Sequence, residues 1–176
     1  MTPDYRDVAH EHRNWLERIA SKIPLYGGYK EKETRREADA MLREHLARQL
    51  SQQLRQAEDM AGQMLTGPGM MQLDDMGQGN TRLQTLIDKV KTAAQGYAGL
   101  FDTIKVKEEQ LDALYEFDYN MLLKVEEIGS AINNIQTALD SGDANAIGPA
   151  VRGYIKVVTD TSSQFDQRKE AIMGMA

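Results

Sequence analysis

From Leu83 onward the apolar residues recur in alternating steps of three and four, and the repeat persists through three successive segments. Leu83, Leu86, Val90, Ala93, Tyr97, Leu100 and Ile104 carry it first. Leu111, Leu114, Asp118, Met121, Val125, Ile128, Ile132, Ile135 and Leu139 carry it next, and Ile147, Val151, Tyr154, Val158, Thr161, Phe165, Arg168 and Ile172 complete it. This spacing places every member on one face of a helix, a stripe that a strand, with its period of two, cannot present. Helices are therefore predicted over about 81–104, 107–139 and 144–173. Short connections make successive helices antiparallel neighbours packed at a shallow angle, so 81–176 reads as a three-helix bundle.

Two more helices are predicted ahead of it. Trp15, Leu16, Ile19 and Ile23, with Val8 and His12, share one face of a helix over about 4–23, which Pro24 stops. Gly27-Gly28 supplies a turn. Ala38, Leu42, Leu46, Leu50, Leu54, Ala57, Ala61 and Met64 then mark a helix over about 30–65, ended by Gly67-Pro68-Gly69. The period fails between 66 and 80, where glycine and methionine gather. That stretch is expected to be a flexible loop or linker, with Asn80 or Thr81 capping the helix that follows. The predicted class is all-α: an antiparallel helical bundle of three long C-terminal helices, which an N-terminal hairpin (1–65) completes or extends.

Composition narrows the chemistry. Cysteine is absent, which removes disulfides, thiolate catalysis and Cys-based zinc sites. The net charge of −6 falls wholly in residues 61–176, since bases and acids balance before that, and an acidic body disfavours nucleic acid as a partner. No apolar run approaches the ~18 residues that would span a bilayer. The start Met1-Thr2-Pro3-Asp4-Tyr5 lacks the basic-then-apolar pattern of a secretory signal, so a cytoplasmic location is expected.

A helical bundle can house a di-metal site, but that needs inward Glu residues and Glu-x-x-His pairs. His10, His12 and His45 all lack a Glu three residues earlier, and Glu109, Asp112, Glu116, Glu126 and Glu127 fall opposite the apolar stripe of their helix. A metal-binding enzyme is thus the weakest reading. Met60, Met64, Met70, Met71 and Met76 offer soft thioethers, read as helix-end packing followed by loose loop. No cofactor and no catalytic group is expected.

Asp118 stands apart, because it occupies an inward position of an otherwise apolar repeat. A buried carboxylate must pair, hydrogen-bond or take up a proton. It is read as a polar residue that fixes helix register against a Tyr, Arg or Lys of a neighbour. The long stripe Leu42, Leu46, Leu50 and Leu54, together with Trp15, Leu16, Ile19 and Ile23, has no assured cover if 66–80 is flexible. It is the candidate surface for a protein partner or for self-association. The functional expectation is a non-enzymatic helical interaction or scaffold protein. The alternative is a peripheral membrane-surface protein held by the amphipathic first helix.

Overall fold

The computed structural model describes residues 15–29, 34–93 and 108–173. The described chain is helical, with no strand among these residues. Helix α1 covers 15–22, α2 Arg35–Met64, α3 Leu73–Thr92, α4 Glu108–Ser141, α5 Ala144–Asp166 and α6 Arg168–Met173. The predicted first turns of the two N-terminal helices, the end of the third around Tyr97, Leu100 and Ile104, and the histidines His10 and His12 lie outside the described residues.

The four long helices form a ring. α2 packs on α3, α3 on α5, α5 on α4, and α4 back on α2. Cross-helix pairs give their directions. Gln53 meets Val125 and Gln63 meets Gln136, so α2 and α4 run parallel. Tyr154 meets Asn80, Thr159 meets Arg82 and Asp166 meets Lys89, so α3 and α5 run parallel as well. The chain is thus two antiparallel hairpins, α2–α3 and α4–α5, laid side by side. This corrects one expectation: the helices at 73–92 and 108–141 sit across the ring from each other instead of packing as direct neighbours. Helix α2 completes the bundle and does not project from it.

A second correction concerns 66–80. The turn is confined to 65–69, a 3-10 turn follows at Met70–Gln72, and α3 starts at Leu73, eight residues before the predicted start. Asp74 and Asp75 sit in its first turn, where the helix dipole favours acids. Gly77 and Gly79 suggested a break, yet Gly79 is buried on the core face with Met76 and Leu83. A Cβ added there would lie 2.6 Å from Cε1 of Tyr154. The glycine serves close helix approach, not a turn. Asn80, predicted as a cap, lies inside the helix and accepts a hydrogen bond from the Tyr154 hydroxyl at 3.0 Å.

The last predicted helix divides in two. Asp143 caps α5 by accepting from the Asn145 N–H at 2.9 Å, and the helix runs through Pro149 to Asp166. Gln167 breaks it before α6. One continuous core lies inside the ring, from Ile19 and Ile23 through the α2 leucines to Val158 and Phe165.

Candidate functional site

The most unusual chemistry lies at the end of the bundle where α2 and α4 begin and α5 ends. Arg168, the first residue of α6, is fully buried there. Its Nε donates to Asp118 Oδ1 at 2.9 Å and its Nη2 to Asp118 Oδ2 at 3.2 Å, a two-point grip on one carboxylate. Its Nη1 donates to Asp39 Oδ1 at 2.6 Å, and Nη2 also reaches the Tyr29 hydroxyl at 3.0 Å. That hydroxyl in turn donates to Asp118 Oδ2 at 2.7 Å. Asp39 takes a further bond from Arg43 Nε at 2.7 Å. Two buried carboxylates are thus matched by two guanidinium groups.

Tyr29 is held by its backbone as well. Its N–H donates to the Tyr115 hydroxyl at 2.6 Å, and its carbonyl oxygen accepts from Arg35 Nε at 2.9 Å. The Tyr29 and Tyr115 rings stack with centroids 5.5 Å apart, and Tyr26 meets Tyr29 edge-on. Gly28 makes this approach possible. Its φ is +76°, and a Cβ would fall 2.5 Å from the Tyr115 hydroxyl and 2.8 Å from Leu16 Cδ1. Leu25 also takes positive φ, 65°, with its side chain almost wholly exposed.

Burial sets the electrostatics. Loss of water pushes the Asp118 carboxyl above its ordinary range, against the pull of Arg168 in the opposite direction. Burial and then the Asp118 charge push the Tyr29 hydroxyl well up. For Arg168, burial works against the charge, but Asp118, Tyr29 and Asp39 more than offset it and keep the group protonated. The arrangement fixes four segments of chain against one another: the stretch at 26–29, α2, α4 and α6. The groove of about 520 Å³ along α2, lined by Ala40, Glu44, Ala47, Ser51 and Lys91, shares only Arg43 with this cluster.

The sequence singled out Asp118 and placed it inward, where the structure puts it, fully buried. It did not find the partners. Arg168 occupies an inward position of the same repeat, and that was the available signal. Asp39 lies beside the α2 stripe, and Tyr29 sits in an aperiodic turn, so neither carried one.

The proposed interaction surface needs correction. Leu42, Leu46, Leu50, Leu54, Ile19 and Ile23 are all buried in the chain's own core, because the other helices of the ring and the α1 contact cover them. Trp15 and Leu16 are half-buried, with the Trp15 ring 5.5 Å from Tyr119 and Arg18 stacked over it at 4.8 Å. The apolar face of α1 thus lies on α4, and Lys22 pairs with Glu126 beyond it. Among the described residues, no cluster of His, Asp and Glu is placed to hold a metal, and no helix is long and apolar enough to cross a membrane.

Comparison with protein-family models, with curated proteins and with solved structures finds no match to this chain.

Proposed function

We propose that the chain is a non-enzymatic helical scaffold that self-associates through the end of the bundle formed by the α2–α3 turn. The observation that carries this reading is where the exposed apolar groups lie. Four large apolar side chains stand out among the described residues, Leu25, Leu65, Met70 and Met71, and three of them fall between 65 and 71. Leu65 is 57% exposed, Met70 66% and Met71 91%, although Met64 and Met76 beside them are buried. Unbranched thioethers adapt to varied partner shapes, and apolar groups gathered at one spot mark a contact surface more than scattered ones do. Two copies that join at this end through a twofold axis would place the same apolar patch on itself, which closes the assembly.

Sedimentation velocity over a concentration series tests it. The wild type should form a dimer that dissociates on dilution, and Met70→Lys with Met71→Lys should sediment as a monomer with unchanged helix content. A wild-type chain that stays monomeric at every concentration overturns the reading. So does a double variant that still forms the dimer.

A further inference from the structure

Helix α6 contributes no described side chain to the apolar core. Among the described side chains the apolar core runs no further than Phe165, and Gln167 interrupts the helix directly afterwards. Of the α6 side chains described, Lys169 and Glu170 are exposed, Ala171 is half-buried, and only Arg168 is buried. Among the described side chains of α6, the one that reaches full depth is therefore a guanidinium group.

The surroundings of that group form a receptor for its shape. Asp118 takes two parallel N–H donors, Asp39 takes one from the other side, and the Tyr29 hydroxyl accepts another. These acceptors sit on α4, α2 and the 26–29 turn, so the receptor is built wholly from elements outside α6. Tyr29 is held in turn by Tyr115 and Arg35, which do not touch α6 in doing so. A planar fork satisfies this arrangement. A lysine ammonium, a single compact charge, cannot bond both oxygens of Asp118 side-on and reach Asp39 as well.

We propose that α6 is a latch: Arg168 fills, from within the chain, a guanidinium-binding site made by Asp39, Asp118 and Tyr29, and α6 leaves it as a unit while the four long helices stay packed. Once open, the site accepts an arginine side chain of a protein partner. The latch has the features of an internal pseudo-ligand: a short helix, a break that serves as its hinge, and one specific polar anchor. Local opening of this kind draws on a segment with few buried apolar contacts.

Hydrogen exchange on the full chain, with methylguanidinium as the probe, tests the proposal. In Arg168→Ala the amides of 168–173 should exchange about tenfold faster or more, while α4, and α5 up to Phe165, stay protected and exchange only through global unfolding of the bundle. Methylguanidinium should restore the lost melting temperature in a saturable way, and methylammonium at equal ionic strength should not. Arg168→Lys, which retains the charge without the fork, should likewise open α6 ahead of the rest of the bundle. Opening of α2, α4 and α5 together with α6, at one shared free energy of exchange in either variant, overturns the latch, because Arg168 would then be a strut the bundle cannot spare. Equal rescue by methylammonium overturns the guanidinium site. If Arg168→Lys exchanges like the wild type, the fork has no role and the proposal fails.

Discussion

Arg168 grips Asp118 with two nitrogens across fifty residues of sequence, and neither side chain has any exposed surface. Taking two charges out of water costs several kcal/mol per ion, which only good geometry and further hydrogen bonds offset. Removing one partner should therefore be much worse than removing all. Asp118→Ala leaves the buried guanidinium with Asp39 as its one carboxylate in the cluster and should destabilise the fold by about 3–5 kcal/mol in urea denaturation. Replacing Asp39, Asp118 and Arg168 together with apolar residues of similar volume should come close to wild-type stability, or exceed it. A triple variant less stable than Asp118→Ala would mean that the cluster stabilises the fold in its own right.

Tyr29→Phe keeps the ring stack on Tyr115 and the backbone bonds but deletes the hydroxyl that links Arg168 to Asp118. The expected loss is about 1–3 kcal/mol, the cost of leaving buried polar groups short of a partner. Tyr115→Phe should cost a similar amount, since it leaves the buried Tyr29 N–H without its acceptor. Thermal denaturation of both single variants checks this, and a loss under a few tenths of a kcal/mol in either would show that water replaces the missing oxygen.

Gly77 and Gly79 lie two residues apart in α3 and should respond to alanine with opposite signs. Nothing stands within 4 Å of a Cβ at Gly77, so Gly77→Ala should gain about 0.5–1 kcal/mol from helix propensity. At Gly79 the same Cβ meets the Tyr154 ring at 2.6 Å, and overpacking should cost about 1–3 kcal/mol. Two neutral or two stabilising results would place the start of α3 beyond these residues.

His45 should titrate below its ordinary value near 6.5. Partial burial is the main cause, followed by repulsion from Arg48 and Lys22, with Glu126 opposing. The folded state then binds fewer protons than the unfolded state at this site. Its contribution to stability is accordingly present above pH ~6.5 and is lost as the pH falls through the depressed folded value. An NMR titration of the imidazole protons reads the pKa directly. His45→Gln should remove this part of the pH dependence, and a folded pKa at or above the ordinary value would refute the environment described.

Periodicity carried most of this fold and little of the site. The 3-4 repeat found α4 almost to its ends and the start of α5, because an inward stripe is a property of each helix alone, but it ran α5 and α6 together across Gln167. It did not reveal which helices are neighbours, since all four stripes face one core and any ring order satisfies them. The start of α3 was hidden by Gly77 and Gly79, whose local preference for turns is overruled by packing on Tyr154. Asp118 was visible as a charge in an apolar stripe. Its partners were not, because pairing depends on which end of each helix arrives at the same place. The same pattern of leucines that suggested an open surface on α2 is what any core helix shows, and only the ring order tells the two apart.

The side-by-side hairpins also order events in time. Each hairpin closes across a short turn, whereas the α2–α4 pairing joins residues 72 positions apart, as in Gln53 and Val125, and Arg168 meets Asp39 and Tyr29 across 129 and 139. Chain closure over such separations is entropically unfavourable, so local hairpins form early and distant contacts late. The arginine cluster is then the final stitch of folding, absent from the transition state. Weakening it should hasten unfolding while the folding rate stays where it was, so the cluster governs how long the folded chain lasts more than how fast it is made.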